Sequence, residues 1–259
     1  YSTTYETVEH QSDAYHGIKI AGGQGVSGEG AYILNKDGYY YLFLSYGGLI
    51  TEGGYQMRVF RSDKIQGPYV DQLGNTAVYK KAENNLLGSV GIRLMGSYQF
   101  SGNDEIHAAQ GHNSAFIDED GKIFAVYHTR FAGGKNGIWE AHEVRVQQLF
   151  VNQDGWLVAT PYEYAGETIS ESGYLMEQMT GNYEFVVHTP YFFYQRSQSD
   201  DVGIAQTLSI QLHSDFTVSG DKSGTWSYEE GSSNMTITLD DVTYKGVFVK
   251  AVTEGTHKE

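Results

Sequence analysis

A four-residue pattern of Asn or Asp, any residue, Asp and Gly recurs three times along the chain. It reads Asn35-Lys36-Asp37-Gly38, Asp118-Glu119-Asp120-Gly121 and Asn152-Gln153-Asp154-Gly155. Glycine takes a positive φ without steric cost, and Asn and Asp side chains accept nearby backbone N–H groups, so each copy is a hairpin turn. Around these turns lie runs of strand length: Tyr39–Tyr46, Tyr55–Arg61, Ser114–Ile117, Lys122–Thr129, Val144–Asn152 and Trp156–Thr160. No segment sustains an apolar stripe at the helical period. Stacked hairpins rather than βαβ units follow, and the blades of a β-propeller are one natural home for them.

The aromatic and glycine content agrees with this. With 21 Tyr, 12 Phe and 3 Trp beside 32 Gly and only 3 Pro, the chain reads as aromatic strands joined by glycine turns, an all-β protein. After about Gly166 the texture changes to shorter runs, Gly173–His188, Gly203–Ser214, Thr217–Tyr228 and Asn234–Val252, split by Gly, Ser and Asp clusters. We therefore expect a first β domain over 1–166 and a small β-barrel over 167–259. Residues 1–28 are expected to be an exposed polar segment, because Ala21-Gly22-Gly23-Gln24-Gly25 cannot hold a strand or helix by itself.

Charge narrows the partners. Seventeen Lys plus Arg against 32 Asp plus Glu leave a net charge of −15, with no basic cluster, which argues against nucleic acid and anionic membranes. A neutral ligand or a cation fits better. No stretch of 18 apolar residues occurs, and no charged-then-apolar leader opens the sequence, so any leader was removed or lay upstream. The absence of cysteine excludes disulfides, thiolate metal sites and a cysteine nucleophile.

Within Ser27-Gly28-Glu29-Gly30-Ala31-Tyr32, a lone carboxylate sits between glycines just before an aromatic strand. Glycine flanks let a ligand approach the backbone, and a Glu there could protonate a leaving-group oxygen; an ordinary solvated loop Glu is the competing reading. His112, in Gly111-His112-Asn113-Ser114, reads on its own as a histidine that caps a turn. Tyr32, Tyr46, Phe131 and Trp139 could stack on sugar rings, although most strand aromatics in such a chain pack in the core.

The run Gly38 to Leu49, then Gly53 to Ser62, then Gly67-Pro68-Tyr69-Val70-Asp71 resembles family 43 arabinanases, which are five-bladed β-propeller glycoside hydrolases. In that family a Glu-Gly-Pro or Glu-Ala-Pro motif before a Tyr-rich strand supplies the general acid. Glu29 falls on it, with Ala31 in place of the usual Pro. Gly111-His112-Asn113-Ser114 is similar to the Pro-Gly-His-Asn-Ser motif of these enzymes, with Gln110 where Pro is usual. The resemblance thus implies that His112 binds a central calcium ion, directly or through water. Tyr127-His128-Thr129-Arg130-Phe131 and the segment Glu140 to Gln148 resemble their His-Thr-Arg and His-Glu-Val-Arg-Val segments. Arg130 would then reach the axis to hold a carboxylate ionised and to bind sugar hydroxyls, a surface salt bridge being the alternative. The likeness covers about residues 24–166, and the segment from about Thr168 resembles the appended β-barrel of some extracellular arabinanases.

The implied activity is endo-acting, inverting hydrolysis of α-1,5-L-arabinofuranosidic bonds in arabinan by a secreted, extracellular enzyme. Inversion needs a second carboxylate to activate water. In the family that base, an Asp, and a further Asp that tunes the acid both precede the Glu. Asp13 is the only Asp before Glu29, and its surroundings resemble neither motif. An N-terminal chain of the same precursor is therefore expected to complete the propeller, with the polar segment before Glu29 as the cut site. The alternatives are a non-catalytic carbohydrate-binding β protein and a family 43 exo-arabinosidase or xylosidase.

Overall fold

The computed structural model describes residues 17–23, 28–51, 53–79, 90–188 and 204–255. Strands β1 (Glu29–Lys36), β2 (Tyr39–Tyr46), β3 (Gln56–Ser62) and β4 (Ile92–Met95) form one antiparallel sheet in that order. Strands β5 (Ser97–Tyr98), β6 (His107–Ile117), β7 (Ile123–Phe131), β8 (His142–Val151) and β9 (Leu157–Ala159) form a second, again in sequence order. These two up-and-down sheets are the blades.

The three repeated turn motifs fold in two ways. Between β1 and β2, Lys36 stays in the ladder opposite Tyr39, so the loop is only Asp37 and Gly38, both at positive φ (51° and 83°). That is the primed turn that matches strand twist. In the other two copies the leading Asp or Asn leaves the ladder and caps the turn. Oδ1 of Asp118 accepts the N–H groups of Asp120 and Lys122 at 3.0 and 2.8 Å; Oδ1 of Asn152 accepts those of Asp154 and Trp156 at 3.1 and 2.9 Å.

Strand β2 shows why a run of aromatic and aliphatic residues is needed here. Tyr41 and Phe43 point into a cluster with Met57, Val59, Met95, Ala125, Tyr127 and Leu149, which joins the two sheets. Leu42, Leu44 and Tyr46 point the other way, onto Phe60, Tyr69, Ala77 and Tyr79. A strand covered on both faces reads as a near-continuous apolar run, broken here at Ser45. Each such side chain contributes about 1.5–3 kcal/mol on burial.

The expectation of an exposed segment before Glu29 needs correcting where the chain is described. Ile20 and Ala21 pack on the second cluster, and Gly22 exchanges hydrogen bonds with Ala77 and Tyr79 at 2.9 Å. The glycine run cannot make a strand alone, but it borrows a partner from residues 77–79. Residues 1–16 and 24–27 lie outside the described part.

Beyond β9, a single helical turn, α1 (Met176–Met179), precedes β10 (Gly181–Val186). A four-residue helix leaves no periodic trace in sequence, which is why no reading of the pattern finds it. The short β11 (Ile204–Ala205) pairs in parallel with β5. Strands β12 (Thr207–Leu212), β13 (Thr217–Gly220), β14 (Gly224–Tyr228), β15 (Asn234–Leu239) and β16 (Val242–Val247) extend β10 into a six-stranded antiparallel sheet. It curls around Met179, Ile210, Leu212, Val218, Trp226 and Ile237, and its ends approach where Phe185 of β10 meets Tyr244 of β16 edge-on at 5.3 Å.

Polar clamps tie this sheet to the blades. Lys245 reaches Asp154 at 2.7 Å, and Asn152 donates to the Lys245 carbonyl at 3.0 Å. Glu254 accepts from Arg145, from Nε2 of His107 at 3.1 Å and from the Glu163 N–H at 2.6 Å. Burial alone would raise the Glu254 pKa, but these partners outweigh it and bring the carboxyl down to about 2. Among the described residues no helix is long and apolar enough to cross a membrane.

Candidate active site

Glu29 and His112 are brought together by bulges. In β1, Glu29 lies opposite Ser45 but Tyr32 opposite Phe43, so Gly30 and Ala31 share the single partner position of Leu44. Gly30 sits at φ 61°, and a Cβ on it would lie 2.9 Å from Cα of His112. Only glycine lets β1 lie so closely against β6, which is the structural use of the glycine after Glu29. Strand β6 carries two bulges of its own, between Ala108 and Gly111 and between Gly111 and Ser114, with Ala109 and His112 both at φ 52°. The second turns His112 out of the strand's alternation.

The pair is accessible: the side chains of Glu29 and His112 are 51% and 54% exposed, with Nδ1 of His112 3.5 Å from Oε1 of Glu29. Beneath them lies the buried Tyr55. Its hydroxyl donates to Oε1 of Glu29 at 2.6 Å and is 3.2 Å from Nδ1 of His112. Burial first, and then the hydrogen bond to Glu29, raise the Tyr55 pKa, so the phenol stays a donor. Its ring stacks on His128 at 5.5 Å, and a Cβ on Gly111 would come within 2.6 Å of that ring. Burial, followed by the nearby Arg130, His112 and His142, pulls the His128 pKa down to about 4, so this imidazole is neutral near pH 7.

Arg130 donates to the carbonyl of Glu140 at 2.8 Å and to its Oε2 at 3.1 Å. The same oxygen accepts the N–H and hydroxyl of Thr51, at 3.2 and 3.0 Å. Arg130 thus holds a carboxylate of its own chain. Tyr32, just past the β1 bulge, keeps 36% of its surface exposed, and Trp139 is exposed on the loop between β7 and β8. Tyr46 corrects an expectation: it is only 3% exposed, its hydroxyl accepts from Tyr79 at 3.0 Å, and Gly28 and Arg58 cover its ring. No face remains for a sugar, because Tyr46 ends the doubly covered strand β2. Phe131 is likewise buried, against His107 and under Lys135.

Tyr55 and Ser45 were not singled out from sequence, and His128 was read only as part of the His-Thr-Arg segment. The available signal was Gly53-Gly54 ahead of Tyr55: these glycines fold back onto Gly47 and Gly48, where a Cβ on Gly53 would meet the Gly48 carbonyl oxygen at 1.9 Å. That tight loop fixes where Tyr55 begins.

For a cation, His112 has its Nδ1 side engaged by Tyr55 and its ring exposed, which suits one imidazole ligand through Nε2. Among the described residues no group of three or more His, Asp or Glu side chains could by itself enclose a metal. The rest of a shell would be water or groups outside these residues.

This chain belongs to glycosyl hydrolases family 43, whose family profile matches residues 2–157. A profile described as a C-terminal lipocalin-like domain matches residues 161–259. Among curated relatives, the extracellular endo-alpha-(1->5)-L-arabinanase 2 of Bacillus subtilis is 41% identical, over 91% of this chain and 50% of its own length. The extracellular endo-alpha-(1->5)-L-arabinanase of Thermotoga petrophila is 37% identical over 91% of this chain and 49% of its own length. Two solved structures superpose with a TM-score of 0.80 at 35% identity over 94% of this chain: a family 43 glycoside hydrolase from Bacillus licheniformis and the Thermotoga petrophila endo-1,5-alpha-L-arabinanase. They are covered over 54% and 53% of their length. The chain therefore spans about half the length of the relatives it matches.

Proposed function

We propose that this chain carries the general acid of an endo-acting, inverting arabinanase that cleaves α-1,5-L-arabinofuranosidic bonds. The observation that carries the reading is the placement of Glu29. It is half exposed on the blade face, with Oε1 held by Tyr55 and, among the described residues, no protein partner on Oε2. A general acid needs this arrangement, one oxygen anchored and the other free to meet the leaving group. Glu29 would give its proton to the glycosidic oxygen as the C–O bond breaks, while a carboxylate on the opposite side takes a proton from the attacking water.

That base and the acid-tuning Asp would come from an N-terminal part of the same precursor, with the base about 6.5–9.5 Å from Glu29 as inversion requires. The half-length match to the relatives supports this division. Arg130 and Tyr32 are assigned to substrate, as hydrogen-bond donor and stacking surface. His112 is assigned to calcium, which when bound would stabilise ionised carboxylates electrostatically. The names of the two curated relatives support both arabinan as substrate and work outside the cell.

The test is to incubate the complete protein carrying this chain with linear arabinan and size the products over time. A falling polymer length with mixed oligosaccharides supports endo cleavage. Release of one short product indicates exo action. Binding without cleavage would favour the carbohydrate-binding reading.

A further inference from the structure

We propose that Tyr55 is a positioning residue that sets the proton arrangement of both groups it touches, leaving Oε2 of Glu29 to carry the transferable proton and Nε2 of His112 to offer a lone pair. The proposal rests on the reading of Glu29 as general acid and His112 as cation ligand. It follows from counting protons. A phenol has one hydrogen to donate, and Oε1 of Glu29 at 2.6 Å claims it ahead of Nδ1 of His112 at 3.2 Å. The His112 contact then needs its hydrogen from the ring, so the neutral imidazole is the Nδ1–H tautomer. Its second nitrogen, which has no partner among the described residues, is the unprotonated one. On Glu29, an oxygen already accepting a short hydrogen bond is the poorer place for the acid proton, which falls to Oε2.

Tyr55 can enforce this because it cannot turn away. The ring is buried, stacked on His128, and wedged against Gly111, where even a methyl group would not fit. The backbone of His112 is held as well, since its N–H donates to the Ser45 hydroxyl at 2.7 Å. The same phenol therefore faces two chemistries, one acidic and one metal-ligating, and keeps their protons apart. A His112 ring with hydrogen on Nε2 would present a donor where a cation needs a lone pair.

The experiment uses the complete protein with 15N-labelled histidine and two-bond 1H–15N correlation, His112 being assigned by the loss of its signals in His112→Gln. The expected wild-type result is an Nδ1–H tautomer at His112. In Tyr55→Phe this preference is lost, calcium binds about tenfold to a hundredfold more weakly by titration calorimetry, and kcat drops while KM stays within about twofold. An Nε2–H tautomer in the wild type overturns the proposal without recourse to any variant. So does a Tyr55→Phe protein that loses turnover but keeps the Nδ1–H tautomer and its calcium affinity, since Tyr55 would then be merely structural. Full turnover in Glu29→Gln would instead remove the general-acid reading, leaving the tautomer measurement to decide the role of Tyr55 toward His112.

Discussion

The backbone N–H of His112 donates to the hydroxyl of Ser45 at 2.7 Å, tying the bulged middle of β6 to the end of β2. Gly111 occupies the space beside this bond. An added Cβ there would lie 2.8 Å from Oγ of Ser45 and 2.6 Å from the Tyr55 ring. Gly111→Ala should therefore cost about 1–3 kcal/mol by overpacking and shift Tyr55 under Glu29. Gly246→Ala, where a Cβ meets nothing within 4 Å, should stay within about 0.5 kcal/mol. Urea unfolding of both variants checks the pair, and equal losses would contradict the packing seen at Gly111.

Replacing the carboxyl of Glu29 by an amide removes the proton to be donated while keeping size and polarity. Glu29→Gln should reduce turnover on arabinan about 10²–10⁴-fold and leave arabino-oligosaccharide affinity nearly unchanged in calorimetric titration. Wild-type turnover would end the assignment.

Acid should weaken the fold in a defined window. His128 and His188 both have pKa values lowered to about 4, His128 by burial with Arg130 next, His188 by burial and then Arg93. Between about pH 6.5, where histidine titrates in an unfolded chain, and about pH 4, the unfolded state binds protons that the folded state does not. The contribution of these two rings to stability must fall as pH is lowered through that range and level off below it. Chemical denaturation at half-unit steps from pH 7 to 4 reads the slope, and a flat profile would show that neither ring is held neutral.

Glu254 should matter for joining the curled sheet to the blades. Truncation to Ala leaves the buried guanidinium of Arg145 without its closest anion and should cost on the order of 3 kcal/mol in thermal or urea unfolding. The folded pKa of about 2 lies below the ordinary 4.5, so its contribution is complete above pH 4.5 and is lost as pH falls toward 2. Glu254→Gln should lack that part of the acid dependence while retaining the histidine window above it.

With calcium held at His112 as proposed, its chelation should lower turnover without unfolding the protein. Among the described residues one imidazole is assigned to the ion, whereas the two blade clusters are packed by apolar side chains. Far-UV circular dichroism and melting temperature with and without chelator check this. Collapse of the fold would mean the ion is structural.

Much of the fold could be read from local pattern. Strand β2 begins and ends where its aromatic run does, at Tyr39 and Tyr46, and all three Asx-x-Asp-Gly motifs are turns. A turn depends on a few adjacent residues, so its chemistry is written next to itself in the chain. What could not be read is which turn type each copy takes. That depends on whether the leading residue stays in the ladder, as Asn35 does opposite Tyr40.

By itself the sequence determined the all-β class, the hairpin order and a glycine-flanked Glu29, because strand periodicity and positive-φ glycines are local properties of the chain. Tertiary structure alone decided that Tyr55 lies under Glu29 and that Tyr46 is shut in the core. Alternation tells which residues share a face of a strand, but not whether another sheet covers that face. The three bulges in β1 and β6 then shift the alternation, and only the packed structure shows that they turn Glu29 and His112 toward one another.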